Sequence, residues 1–248
     1  MDPFELTSVV HLVSPAGRSA RDLEELRAGL AAAPARSLFF HAVQGRLRHP
    51  EAEDPPADDL SAWVNGVVQD RETAERLAFA VQGHAVACEE LRAELLGVLD
   101  GLEPKVRAAR DAPLGGEFVF LAADSVIVPT GASAGDPREL FERLAGADPG
   151  VWFYHLFEEP WFGQGRTPLT DWLRAGGAER LARLVEECVA EALPLGALRR
   201  RVLGRWRHSD LGRRIAHAAG RPEEERREAG REAVAGLVRR LRGEGESS

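Results

Sequence analysis

The sequence repeats part of itself, and this internal similarity constrains the fold more than any other feature. Residues Phe4–His41 align without a gap on Phe118–His155, and 13 of the 38 aligned pairs are identical. Chance agreement in a chain so rich in alanine would give roughly 3 or 4 identities. A segment that occurs twice usually folds twice into the same small unit. The sequence therefore predicts two tandem units in one chain.

Matching turn and helix signals lie inside the two aligned segments. The first signal is Pro-x-Gly, at Pro15–Gly17 and again at Pro129–Gly131, and it is typical of turns because Pro and Gly break regular structure. The second is an aspartate three residues before a glutamate, at Asp22 and Asp136. This spacing is typical of a helix N-cap whose glutamate closes a capping box. We therefore expect a turn and then a capped helix in each unit.

The spacing of apolar residues predicts the fold class. Most of them recur every three or four positions, as they do on one face of a helix. The opening segments, Phe4–Val13 and Phe118–Val128, suit either a strand or a helix, and we predict a short strand in each. The predicted fold is mainly α, with two tandem helical repeat units related by a pseudo-twofold axis, each opening with a short strand. A C-terminal helical extension follows them.

Composition divides the chain into four predicted parts. Residues 1–102 and 118–207 form the two units, and residues 103–117, which are rich in Pro and Gly, form the linker. Residues 208–248 form the charged helical extension. No apolar run approaches the roughly 18 residues of a membrane span, and the N-terminus does not resemble a secretory signal. We therefore predict a cytoplasmic protein that has no membrane segment.

Several short motifs occur in both units in a fixed order. Thr130-Gly131 forms a turn motif, Phe39-Phe40-His41 an aromatic block, and Asp58–Trp63 a helix start that Thr167–Trp172 partly loses. Together they resemble an uncharacterised bacterial and archaeal family, the domain of unknown function 5752. The resemblance covers about the whole of Phe4–Arg207 and implies two tandem copies. It implies no activity, because the family has none established.

His41 and His155 are the best candidates for a functional site, because each ends an aromatic block at the same place in its unit. Facing each other across a cleft between the units, the two imidazoles would suit an anion or a metal. The alternative is that each is hydrogen-bonded to the backbone, as buried polar groups usually are. No His-x-x-x-His or Cys-x-x-Cys spacing accompanies them, so we predict no metal site.

Four further residues are candidates for binding a ligand or partner at the same cleft: Arg46, Asp59, Glu158 and Trp161. Asp59 suits a general base, but it also suits a helix N-cap. Glu158 and Trp161 would suit the binding of a sugar or a peptide. The alternative is that Trp161 belongs to an aromatic core and that Glu158 is a solvated acid beside it. We predict no catalytic residue and no cofactor, because no nucleophile–base pair, phosphate loop or metal cluster can be assembled.

The C-terminal extension offers a second docking surface. Val234, Leu237 and Leu241 share one narrow apolar face of a helix, which suits a partner protein or a second copy of the chain. Arginines outnumber acidic residues between Arg199 and Arg242, although the whole chain has a net charge of −8. Because glutamates interleave these arginines, nucleic-acid binding is the weakest of the hypotheses.

These features favour a non-catalytic cytoplasmic interaction or regulatory module that binds a protein partner or a small ligand. The alternative is an enzyme or small-molecule-binding protein with its site at the cleft around His41 and His155. The third hypothesis is nucleic-acid binding through the Arg-rich tail.

Overall fold

The structure is a mixed α/β protein that contains a two-stranded antiparallel sheet. The computed structural model describes residues 2–52, 58–83, 88–163 and 165–219. Strand β1 (Phe4–Ala20) pairs with strand β2 (Phe118–Ala134), and each strand has 17 residues. The prediction of a mainly α protein made of two tandem helical repeat units is therefore wrong. The sequence predicted strands at these two places, but it predicted short strands.

The Pro-x-Gly segments explain why the strands are so long. Gly17 and Gly131 lie inside the strands, with φ angles of +73° and +72°, and the pairing register shifts at both places. A glycine in this left-handed region is typical of a β-bulge, which inserts a residue without ending the pairing. The two predicted turns are therefore bulges, and the strands continue through them.

The helices of the first half follow β1. In chain order they are α1 (Leu23–Ala32), α2 (Ala35–Ala42), α3 (Gly45–Arg48), α4 (Asp59–Trp63) with a π-helical segment (Val64–Val68), α5 (Arg71–Gly83), α6 (Cys88–Asp100) and α7 (Pro104–Arg107). The carboxylate of Asp22 caps α1 by accepting a hydrogen bond from the Glu25 N–H at 2.7 Å. Glu25 in turn accepts from the N–H of Arg21 at 2.8 Å. The capped start of this helix was predicted correctly.

The helices of the second half follow β2. In chain order they are α8 (Pro137–Gly146), α9 (Pro149–Phe153) with a π-helical segment (Tyr154–Glu158), α10 (Glu159–Phe162), α11 (Pro168–Ala175), α12 (Glu179–Ala190) and α13 (Leu195–Ala219). Asp136 caps α8, accepting hydrogen bonds from the N–H groups of Arg138 and Glu139 at 2.8 and 2.9 Å. This helix start was also predicted correctly.

Each strand packs against a helix from the other half of the chain. Helix α2, which follows β1, contacts β2, whereas α9, which follows β2, contacts β1. Helix α1 packs against β1 and α6. Leu26 and Leu30 of α1 are fully buried, so the sheet and the apolar face of this helix share one core.

The chain divides into two compact units, Met1–Val202 and Leu203–Ser248. The second unit continues helix α13 as far as Ala219 within the described residues. The predicted docking residues Val234, Leu237 and Leu241 lie outside the described residues. In the part of the chain that is described, no helix is both long and apolar enough to cross a membrane. The boundaries predicted at residues 102, 117 and 207 stay a prediction.

Candidate functional site

His41 joins helix α2 to strand β2. Its Nε2 accepts a hydrogen bond from the backbone N–H of Leu121 at 2.9 Å, and its Nδ1 lies 2.9 Å from Oδ2 of Asp59. A backbone N–H can only donate, so Nε2 carries a lone pair and the proton is on Nδ1, facing the carboxylate. The imidazole is therefore neutral in this arrangement, and both of its nitrogens are occupied.

His155 makes the corresponding contacts in the other half. Its Nε2 accepts from the backbone N–H of Thr7 at 3.0 Å, and its Nδ1 lies 3.1 Å from Oε2 of Glu159. The side chains of His41 and His155 are each only 4% exposed. Instead of facing each other across an open cleft, the two histidines each bind the strand that belongs to the opposite half.

The carboxylate of Asp59 accepts a hydrogen bond from Nδ1–H of His41, and it also binds an arginine. Its two carboxylate oxygens lie 2.9 and 3.0 Å from one terminal nitrogen of Arg48. Burial alone would raise the pKa of Asp59, but the hydrogen bonds from His41 and Arg48 outweigh burial and hold that pKa below its usual value. Asp58, not Asp59, is the N-cap of α4, accepting from the Ser61 N–H at 2.7 Å. Asp59 therefore positions His41.

A third buried histidine, which lies in no sequence motif, binds Glu158. His11 lies opposite Ser125 near the middle of the sheet, and its Nε2 is 2.8 Å from Oε2 of Glu158. The two side chains are 4% and 2% exposed. The rings of Phe39 and Phe153 lie 6.3 and 5.9 Å from the His11 imidazole. Glu158 is therefore a buried partner of the sheet and not a solvated acid.

An aromatic cluster surrounds this pair. The ring of Phe39 lies 5.7 Å from Phe153, 5.5 Å from Trp161 and 5.3 Å from Phe162. Trp161 is only 3% exposed. Its indole Nε1 has no hydrogen-bond partner among the residues that the structure describes. A buried indole N–H usually finds a partner, so this donor is left unused.

Arg46 lies at the same cluster, with its guanidinium carbon 5.2 Å from the centre of the Phe157 ring. The residue is 8% exposed, and burial lowers the pKa of its guanidinium, because the charged form is desolvated. Within the described ranges the guanidinium forms no ion pair. Two residues earlier, the buried Oε1 of Gln44 also lacks a hydrogen-bond partner in the described part of the chain.

Part of the outer face of the sheet is apolar. Val10 lies directly opposite Val126, and Leu12 and Val128 share their face because side chains alternate along a strand. These four residues, which we name the outer apolar strip, are 56%, 44%, 63% and 39% exposed in the order given. Two residues of the opposite face, Val9 and Ala123, are buried under the helices.

The described residues hold no group of three His, Cys, Asp or Glu side chains close enough to bind a metal ion. Cys88 is a free thiol, and burial raises the pKa of that thiol. Of the six predicted site residues, the structure places His41 with Asp59, and Glu158 with the aromatic cluster that also contains Trp161. Arg46 joins that cluster through Phe157, whereas His155 binds Thr7 and Glu159.

Comparisons with known proteins identify a family and a related fold. OrfY from Thermoproteus tenax, a solved structure, matches with a TM-score of 0.67 and 25% sequence identity, over 82% of this chain and 93% of OrfY. No curated protein matches the chain. The family model described as "Family of unknown function (DUF5752)" matches residues 1–205. Because that match covers most of the sequence, the chain belongs to the DUF5752 family.

Proposed function

We propose that this protein is a non-catalytic interaction module that binds another protein through the outer apolar strip of its sheet. The observation that carries the proposal is the exposure of four apolar side chains, Val10, Leu12, Val126 and Val128, on one continuous face. An antiparallel sheet with one solvated face normally presents polar residues there. Contiguous exposed apolar surface is typical of a protein-binding site.

The charge of the chain indicates what the partner presents. Acidic residues number 40 against 32 basic residues in the whole sequence. One of them, Asp124, lies opposite Leu12 at the margin of the strip, where it pairs with Arg36 at 2.6 Å. Because that acid is already paired, it is the net negative charge of the chain that favours a partner whose apolar surface is bordered by basic side chains, since complementary charge speeds association and selects between partners.

The histidines support a non-catalytic role. A general base needs a nitrogen that can reach a substrate proton. Both nitrogens of His41 are occupied by Leu121 and Asp59, and His155 is held in the same way. These contacts favour a structural function for both side chains.

A paired substitution tests the proposal. Val10→Asp together with Val126→Asp places two charges in the outer apolar strip. Leu114→Asp is the matched control, because Leu114 is fully exposed in the turn before β2 and does not belong to the strip. A partner recovered from the native cell is purified, and its binding to each variant is measured by calorimetry. We expect the control to bind like the wild type, with a negative heat-capacity change, and the double variant to lose binding while keeping its circular dichroism spectrum.

Two results would contradict the proposal. One is unchanged affinity in the folded double variant. The other is turnover of a metabolite by the purified protein that disappears in His41→Ala while the fold is retained.

A further inference from the structure

We infer that a groove between helices α5 and α6 binds a helical segment of a partner protein that carries both apolar and basic side chains. The groove, which we name the Phe79 groove, has a volume of about 580 Å³. The inference is independent of the proposed function, because no residue that lines this groove belongs to the outer apolar strip. It rests on an exposed aromatic ring, on small residues beside that ring and on an acidic rim.

The ring of Phe79 lines the groove and is open to solvent. Phe79 is 81% exposed, which is more than any residue of the outer apolar strip. Its neighbours Leu77 and Val81 are buried, so α5 is anchored in the core of the protein. Val98 of α6 also lines the groove. A partner therefore meets an apolar surface that is already held in position, which lowers the entropic cost of binding.

Small residues leave room beside the ring. Ala80 of α5 and Gly97 of α6 both line the groove. A Cβ built on Gly97 meets no atom within 4 Å, so the surface of α6 is open at this point. The lining residues of α5 extend from Glu72 to Ala80, which is about 12 Å of helix. Two turns of a partner helix match this length.

Acidic side chains border the groove. Glu72, Glu75 and Glu94 line it, and among its described lining residues the basic side chain is that of Arg76. Glu75 pairs with Arg71 at 2.7 Å, but their side chains are 64% and 85% exposed. Such a surface pair contributes little to stability, so a basic residue of a partner can replace Arg71. The rim therefore favours a partner with basic side chains.

These features define the occupant. An amphipathic helix that lays its apolar face into a groove contacts it through residues spaced at i, i+3 or i+4, and i+7. With that face against Phe79, lysines or arginines beside it would reach the acidic rim, and an arginine could also stack on the ring. A small molecule matches the groove less well, because small-molecule sites cover most of the surface of their ligand, whereas this groove leaves its aromatic ring open.

A photo-reactive residue at position 79 tests the inference in the full chain. Phe79→p-benzoylphenylalanine is introduced in the native cell, irradiation joins it to the occupant of the groove, and mass spectrometry gives the sequence of the attached peptide. Leu114→p-benzoylphenylalanine is the matched control, because Leu114 is fully exposed in the turn before β2. We expect a peptide that is attached at position 79 and not at position 114. It should contain more Lys and Arg than Asp and Glu, with apolar residues at helical spacing.

The same peptide is then synthesised and titrated against the purified full chain, with fluorescence anisotropy as the measurement. We expect its affinity to fall as sodium chloride is added, because salt screens exposed charges. Phe79→Asp should lower the affinity at least about tenfold, as the loss of a central apolar contact does. Gly97→Leu fills the groove without changing its charge and should also weaken binding. Val10→Asp together with Val126→Asp should leave the affinity unchanged, which separates this site from the outer apolar strip.

Several results would overturn the inference. In the cross-linking experiment they are the absence of a peptide specific to position 79, a peptide that is acidic or uncharged, and a peptide from a second copy of this chain. In the titration they are an affinity that does not depend on salt, and an unchanged affinity in either Phe79→Asp or Gly97→Leu. Circular dichroism confirms that both variants are folded before they are titrated.

Discussion

The backbone N–H of Leu121 donates a hydrogen bond to Nε2 of His41, 80 residues away in the chain, at 2.9 Å. The bond connects strand β2 to helix α2, which follows the other strand. It also fixes the imidazole as the neutral tautomer with its proton on Nδ1. One side chain therefore fixes the position of a helix on the sheet and holds the carboxylate of Asp59.

The first prediction concerns the stability that this histidine contributes. His41→Ala removes the acceptor of the Leu121 N–H and leaves that partly buried donor unpaired, so the free energy of unfolding should fall by about 1–3 kcal/mol. Urea unfolding followed by circular dichroism measures the change. His49→Ala is the control, because His49 is exposed, and it should change stability far less. Equal losses in both variants would show that the Leu121 contact contributes nothing specific.

The second prediction concerns the pKa of Asp59. Burial opposes ionisation, but hydrogen bonds from His41 and Arg48 hold this pKa below its usual value. A lowered folded pKa gives stability that is present above the unfolded pKa, about 3.9, and is lost as pH falls through the folded value. Arg48→Met should raise the pKa of Asp59, measured by carboxyl NMR titration, and shift acid unfolding to higher pH. If the pKa of Asp59 is unchanged in Arg48→Met, the hydrogen bond from Arg48 does not lower it.

How much of this structure the sequence could predict depends on how local each signal is. The helix starts at Asp22 and Asp136 were predicted correctly, because a cap and its glutamate lie within three residues of each other. The lengths of the strands were not predicted correctly, because Pro-x-Gly is compatible both with a turn that ends a strand and with a bulge through which the strand continues. Gly17 and Gly131 adopt the same left-handed conformation that a turn would need.

The site was harder to predict, because its contacts join residues far apart in the chain. Glu158 was identified beside Trp161, but its partner His11 is 147 residues away and carries no motif. Nothing near His155 in the sequence indicates that its acceptor nitrogen binds the N–H of Thr7. Such pairs depend on how the strands and helices cross, which periodicity and spacing do not specify.

The third prediction tests the bulge. An added Cβ at Gly131 would meet no atom within 4 Å, so the cost of Gly131→Ala comes from its positive φ and should be roughly 1–2 kcal/mol. Gly97→Ala is the matched control, because Gly97 lies in helix α6 with the same open space around it. That substitution should stabilise the protein by about 0.5–1 kcal/mol. Thermal unfolding of both variants measures the difference, and equal effects would argue against a left-handed residue at 131.

The fourth prediction concerns the buried pair of His11 and Glu158. Both side chains are almost fully enclosed, and their ring nitrogen and carboxylate oxygen are 2.8 Å apart. His11→Leu leaves an unpaired acid in the core, whereas Glu158→Leu leaves an imidazole that can remain neutral. Because an isolated buried charge is less favourable than a neutral polar group, His11→Leu should destabilise the protein more.

Combining the two substitutions removes both polar groups at once. The double variant should therefore be more stable than the sum of the single losses implies, with a coupling free energy of about 0.5–3 kcal/mol. Urea unfolding of the wild type, both single variants and the double variant completes the cycle, provided that all four show the same denaturant dependence. If the losses of unfolding free energy are additive, His11 and Glu158 contribute to stability independently of each other. A larger loss for Glu158→Leu than for His11→Leu would contradict the expected order.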